Sequence, residues 1–285
     1  MHPKVSSFFD NPKSELLGRR DFLKGLAGIA GGSVAASALF PQPGSAASEG
    51  QMVPEDDSRL ETSTIEVDGE TGKVLAYFAR PKGEAKRAGV VVIHENRGLV
   101  PHIKDVARRV ALEGYMVLAP DALSPLGGTP ADVDQARALF QKLDGPSNVK
   151  NFVAALKYLK TNPQSTGKVA CMGFCWGGGV TNQVAVASPD LAVAVPFYGM
   201  QPQAEDVPRI KAAMLIHYGG DDARIDAGIP AFEGALKAAK IDYRIYIYEG
   251  AKHAFFNDTN PQTYNKAAAE LAWQRTVAFF KERLR

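Results

Sequence analysis

The chain has 285 residues, of which 45% are hydrophobic, 22% charged and 9% aromatic, and its formal net charge is +2. This composition is that of a globular protein; it excludes collagen-like, low-complexity and coiled-coil chains, and two cysteines cannot staple a disulfide scaffold. With 33 basic against 31 acidic residues there is no electrostatic footprint for nucleic acid, and no such partner is expected.

The first 47 residues read as an export leader. Arg19-Arg20 is followed by Asp21-Phe22-Leu23-Lys24 and then by a weakly apolar Ala/Gly stretch over 26–40. Small residues at Ser45, Ala46 and Ala47 suit signal-peptidase cleavage after Ala47. The segment resembles a bacterial twin-arginine leader, an address read by export machinery. Its apolar stretch is too short for a membrane span, which takes roughly 20 residues. The expected partners are therefore the twin-arginine translocase and signal peptidase, and the expected destination is the periplasm or the exterior. The leader holds five of the basic and three of the acidic residues, leaving 28 of each in the mature chain. The basic excess belongs to the address. Residues 48–59 are polar and acidic and read as a linker.

Residues 60–285 read as one domain. Strands over 62–67 and 73–79 are predicted to form a hairpin across Asp68-Gly69-Glu70-Thr71-Gly72. A continuous apolar run over 89–93 predicts a strand buried on both faces. A helix over 103–113 stops at Gly114, and a strand over 115–119 ends at Pro120-Asp121. A Gly/Pro-rich loop over 122–129, expected to help shape a substrate pocket, precedes helices over 130–143 and 148–161. A strand over 168–174, a helix over 177–187 and strands over 191–197 and 213–218 follow. A helix over 229–240, a strand over 242–248 and an amphipathic helix over 263–284 close the chain. Such alternation predicts an α/β domain with a mostly parallel central sheet and helices on both faces.

The most informative segment is Gly173-x-Cys175-x-Gly177, where a buried strand runs into a Gly-rich helix start. It matches the nucleophile-elbow pattern with cysteine in place of serine. The glycines fit a strained turn in which side chains at those positions would strike backbone. A helix N-terminus beneath the thiol favours the thiolate. In this architecture the acid and then the histidine follow the nucleophile in sequence. Asp221 and Asp222 lie just past the strand over 213–218, and either could serve. His253 follows the next strand. The amides of Asn96, after the strand over 89–93, and of Trp176, after the nucleophile, are the expected oxyanion donors. His94-Glu95 is not part of an H-E-x-x-H motif or a ligand cluster, so neither a metal nor a cofactor is expected. Cys171 and Cys175 are four apart on an extended segment, which disfavours a disulfide between them.

Together, His94-Glu95-Asn96-Arg97-Gly98-Leu99, Ala119-Pro120-Asp121, Gly173-Phe174-Cys175-Trp176-Gly177-Gly178, Gly219-Gly220-Asp221-Asp222 and His253 resemble the dienelactone hydrolase family, cysteine members of the α/β-hydrolase fold. The resemblance implies Asp222 as the triad acid and Glu95 as a carboxylate that tunes the thiol. It also implies arginines for a substrate carboxylate shortly after Pro120-Asp121 and four residues after His253. Here residues 121–128 contain no arginine and the second position is Asn257. Asn257 and Arg97 are the substrate-contact candidates that remain, and a dienelactone substrate does not follow. The expected function is hydrolysis of a small ester or lactone by Cys175, His253 and Asp222 through an acyl-enzyme. The alternatives are a non-catalytic secreted binding protein on the same scaffold, or a thiol-redox protein using Cys171 and Cys175, whose spacing is not C-x-x-C.

Overall fold

The computed structural model describes residues 52–284; the leader expected over residues 1–47 lies outside them. The described residues form one eight-stranded sheet in the order β1-β2-β4-β3-β5-β6-β7-β8. β1 (Leu60–Gly69) and β2 (Gly72–Pro81) make the hairpin, paired from Leu60 with Pro81 to Gly69 with Gly72. The turn is tighter than predicted, only Glu70 and Thr71, because Gly72 takes a φ of 104°. β2 is also antiparallel to β4 (Met116–Pro120). Every other pairing is parallel, through β3 (Arg87–Ile93), β5 (Ser165–Phe174), β6 (Val193–Phe197), β7 (Ala213–Asp221) and β8 (Tyr243–Lys252). This is the α/β-hydrolase fold. No helix of the described residues is long and apolar enough to cross a membrane.

Burial on both faces explains the continuous apolar runs. Along β3, Val90 and Val92 face one core layer, while Val91 and Ile93 face the other. The first layer packs under α1 (Pro101–Leu112) and α7 (Lys266–Arg283), the second under α3 (Gly145–Thr161), α4 (Trp176–Ala187) and α6 (Ile229–Ala238). Cys171 lies in the second layer, fully buried.

Caps account for the shifted helix boundaries. α2 (Val133–Phe140) starts late because Asp132 accepts from the Gln135 amide, and α3 starts early because Asp144 accepts from the Ser147 amide, with Pro146 in its first turn. β8 runs four residues beyond its predicted end. Its ladder with β7 resumes after an irregularity at Gly219 and pairs Asp221 with Lys252, so His253 leaves directly from a strand end.

The segment expected to be a linker is, over its described part, fastened to the body. Val53 is buried, its N–H donates to Asp105 Oδ1 at 2.8 Å, and its carbonyl accepts from Arg108 Nε at 2.8 Å. Arg108 is fully buried and also donates to Tyr77 Oη, while Asp105 pairs with Arg109. Polar composition over 48–59 hid one apolar residue whose backbone satisfies a buried guanidinium. Asp105→Ala would leave Arg108 buried beside a lost carboxylate, and is expected to cost about 3 kcal/mol of stability. Urea unfolding checks this; a loss below about 1 kcal/mol would mean that Asp105 does not hold the segment.

Candidate active site

The carboxyl ends of β3, β5, β6, β7 and β8 lie along one edge of the sheet, and each supplies a residue to one place. Between β5 and α4, Cys175 adopts φ 56° and ψ −116°. This sparsely populated conformation costs a side-chain-bearing residue on the order of 1–3 kcal/mol. The surrounding packing enforces it. A Cβ on Gly173 would come within 2.3 Å of the Gly177 carbonyl oxygen, and one on Gly177 within 2.4 Å of the His94 carbonyl oxygen. The Cys175 amide donates to the Phe197 carbonyl of β6 at 3.1 Å.

Cys175 Sγ lies 3.0 Å from His253 Nε2, and His253 Nδ1 is hydrogen-bonded to Asp222 Oδ2. An ionised carboxylate only accepts, so Nδ1 carries the proton and Nε2 is left to accept from the thiol. Asp222 is buried, whereas Asp221 is exposed and occupied in the β7–β8 ladder. The geometry thus separates the two aspartates. Ala254, next to His253, has φ 64°, and Tyr198, following β6, has φ 38°. With Cys175, these are three of the four non-glycine residues of positive φ among the described residues. Backbone strain is concentrated at this site.

Burial, then the charge of Glu95, pushes the Cys175 thiol up to about 11, against the Trp176 amide and Arg224, which pull it down. The resting sulfur is therefore a thiol held beside an acceptor. Cys171, buried with Sγ 3.8 Å from Thr181 Oγ1, is pushed up to about 12 by burial. Both cysteines are free.

Asn96 and Trp176 line the same cleft as Cys175, a space of about 780 Å³. Glu95 is buried behind them. Its Oε2 accepts from Asn257 Nδ2 at 2.7 Å, while its Oε1 has no hydrogen-bond partner among the described residues. Asn257, expected as a substrate contact, is buried, with its Oδ1 accepting from Thr259, and is not among the residues lining the cleft. Arg97, the other expected contact, is not among the residues lining the cleft, and neither is the loop over 122–129. Asp121 ties that loop down by accepting from the Leu123 and Thr129 amides. The cleft walls come instead from the start of α3, one side of α4 from Trp176 to Ala187 and residues after β6, including Met200, Gln201 and Arg209.

Sequence reasoning missed Tyr198 and Arg224. Tyr198 is fully buried, its ring centroid lies 5.1 Å from that of His253, and its hydroxyl has no hydrogen-bond partner among the described residues. Its place after β6, at the same edge as the other residues, was the available signal. The remaining described histidines have structural roles. His94 Nδ1–H donates to the Glu95 carbonyl at 2.7 Å, and its Nε2 accepts from the Ala122 amide at 3.0 Å. Burial holds His94 below its ordinary pKa, and its ring stacks on Trp176. His217 sits in the core between Tyr248 and Thr276, pushed down to about 3 by burial. His102 and Arg109 of α1 pair with Asp258 at 3.0 and 2.5 Å, which anchors the loop that follows His253.

Comparisons with known proteins agree with this architecture. The model of the dienelactone hydrolase family matches residues 74–284. The chain is 34% identical over 252 residues to a Saccharolobus solfataricus protein provisionally named a carboxymethylenebutenolidase, covering 75% of this chain and 96% of that one. Its structure resembles that of a provisionally named dienelactone hydrolase from Klebsiella pneumoniae, at 27% identity and TM-score 0.71, covering 78% of this chain and 98% of that one. It also resembles a dienelactone hydrolase-like promiscuous phosphotriesterase from metagenomic libraries, at 25% identity and TM-score 0.70, covering 79% and 99% respectively.

The thiol environment has a measurable consequence. In a His253→Leu variant, which removes the imidazole but keeps the site apolar, alkylation of Cys175 by iodoacetamide is expected to quicken about tenfold per pH unit to beyond about pH 10, rather than level off near the free-cysteine value of about 8.5. Adding Glu95→Gln removes a like charge and is expected to move the profile to lower pH. Rates of mass-detected labelling across pH decide; a plateau below about pH 9 contradicts the effect of burial.

Proposed function

The chain belongs to the dienelactone hydrolase family, and from that premise we propose that it hydrolyses a small ester or lactone through a covalent acyl-enzyme on Cys175. One observation carries the reading: thiol, imidazole and carboxylate are in contact in that order, with the thiol opening onto the cleft. Sγ attacks the carbonyl carbon while His253 Nε2 takes the thiol proton, so a carbon–sulfur bond forms without a free thiolate at rest. The oxyanion accepts from the amides of Trp176 and Asn96, a contribution typically worth about 10²–10³ in turnover per donor. Collapse breaks the ester carbon–oxygen bond, and His253 returns the proton to the departing oxygen. Water, deprotonated by His253, then attacks the thioester; the carbon–sulfur bond breaks and the proton goes to sulfur. Asp222 holds the tautomer and stabilises the imidazolium. Glu95 opposes a resting thiolate, so the sulfur is activated by attack rather than by standing charge.

The relatives named as carboxymethylenebutenolidases support an ester or lactone as the substrate. The dienelactone itself is not carried over, because Asn257 is engaged with Glu95. The redox reading is disfavoured by the burial of Cys171. A panel of small esters and lactones tests the proposal, with mass detection of an acyl adduct on Cys175. Cys175→Ala and His253→Ala are each expected to lower turnover by about a thousandfold or more, Asp222→Asn similarly, and Cys171→Ala to retain it. Equal turnover by wild type and Cys175→Ala would sink the hydrolase and leave a binding protein. Dithiol-dependent disulfide reduction lost in Cys171→Ala would favour redox chemistry.

We further propose that residues 1–47 are a twin-arginine leader, removed after Ala47, that takes the chain to the periplasm or the exterior. Such cleavage would leave five residues before Val53, the first residue fastened to the body by both backbone groups. Arg19→Lys with Arg20→Lys is expected to hold the protein in the cytoplasm at its uncleaved mass, while the wild type yields a mature chain beginning at Ser48. Unchanged fractionation of the double variant would overturn this.

A further inference from the structure

On the cleft walls, Arg209 pairs with Asp206 at 3.2 Å, and Arg224 of α5 (Ala223–Asp226) donates to the Met200 thioether at 3.5 Å. Two polar atoms close to the thiol have no such partner among the described residues: Oε1 of Glu95 and Oη of Tyr198. Their residues are 4% and 0% exposed, a depth at which native proteins satisfy nearly all polar atoms. Glu95 lies two residues past β3, and its charge acts on the sulfur. Its other oxygen is fixed by Asn257 Nδ2 at 2.7 Å, so Oε1 is held in place. Tyr198 follows β6, one residue after the carbonyl that takes the Cys175 amide. Its left-handed φ of 38° is a strained conformation for an aromatic residue, and its ring packs edge-on against His253. Burial, then the charges of Glu95 and Cys175, holds the Tyr198 hydroxyl well above its ordinary pKa, so it keeps a proton to donate.

We propose that Glu95 Oε1 and Tyr198 Oη form the binding site of the water that deacylates the Cys175 thioester. This inference rests on the hydrolase reading. A fixed acceptor and a fixed donor beside the same sulfur suit one water molecule, which takes about two to four polar partners when buried. Glu95 Oε1 accepts one water proton, the Tyr198 hydroxyl donates to the water oxygen, and the second water proton is left for His253 Nε2. His253 takes that proton as the water oxygen bonds to the acyl carbon. The carbon–sulfur bond then breaks, the imidazolium returns the proton to sulfur, and the carboxylic acid departs. Acylation consumes no water, so the Tyr198 hydroxyl acts in the second half of the cycle alone.

The test uses p-nitrophenyl acetate, whose good leaving group makes acylation fast and leaves deacylation to limit turnover. Tyr198→Phe removes the hydroxyl and keeps the packed ring. It is expected to lower kcat about tenfold and KM by a similar factor, leaving kcat/KM unchanged, while the acetyl adduct on Cys175 accumulates by mass. Hydroxylamine, a stronger nucleophile that does not use the held water, is expected to clear that adduct as fast as in wild type. An unchanged kcat, a fall in kcat/KM as large as that in kcat, or hydroxylamine release slowed as much as hydrolysis overturns the proposal. Glu95→Gln also alters the thiol, so it is judged only by decay of the preformed acetyl adduct. Decay several-fold slower than wild type supports the site and wild-type decay refutes it, which decides the matter even if Tyr198→Phe does not fold. If wild type gives neither a burst of p-nitrophenol nor an adduct, or if Cys175→Ala turns the ester over equally well, it is the hydrolase reading that fails, and the water site falls with it.

Discussion

The whole site depends on a single backbone residue held where a side-chain-bearing residue does not willingly go. Cys175 sits at φ 56° because β5 must turn sharply into α4, and glycines at positions 173 and 177 let neighbouring backbone close to within contact. That turn lifts the sulfur above the sheet edge, sets the Trp176 amide beside it and draws the Phe197 carbonyl to the Cys175 amide. Without it, the ends of the other strands would converge on nothing. The parallel sheet does the rest, because strands running in the same direction deliver their carboxyl ends to one edge.

The second requirement is that the histidine loop be held still. His253 leaves β8 at its end, and the following residues are held from three sides: Ala254 in a left-handed conformation, Asn257 by Glu95, and Asp258 by His102 and Arg109. These contacts place the imidazole without touching it. The charge of Glu95 is in turn left beside the sulfur by a neutral amide, where a cation would have cancelled it.

Much of this was legible in the sequence. The buried strands announced themselves as unbroken apolar runs, the elbow by its glycines, and the order of cysteine, aspartate and histidine by the architecture that such an elbow implies. Asp221 and Asp222 could not be separated by local pattern, since the difference is which of them is exposed in a strand ladder and which lies under the imidazole. What the sequence hid shares one cause. Val53 against Arg108, Asn257 against Glu95, and Arg224 beside Met200 are partnerships between residues far apart in the chain, and composition around each is ordinary. The length of β8 was set by its neighbour rather than by its own residues, because the β7–β8 ladder resumes after an irregularity. The cleft walls went to α3 and the segment after β6 because Asp121 binds the glycine-rich loop down.

The fastening of α1 to segments well before and well after it in sequence bears on how the molecule is made. Asp105 holds Met52 and Val53 at separations of 53 and 52 residues, Arg109 reaches Asp258 at 149, and Asn257 reaches Glu95 at 162. Contacts of such high order are slow to form, since long loops must close before any reward arrives. A ribosome that has delivered α1, β5 and the elbow has still produced nothing that can hold His253. A chain stopped short of β8 therefore carries Cys175 without the imidazole that stands beside it in the folded protein.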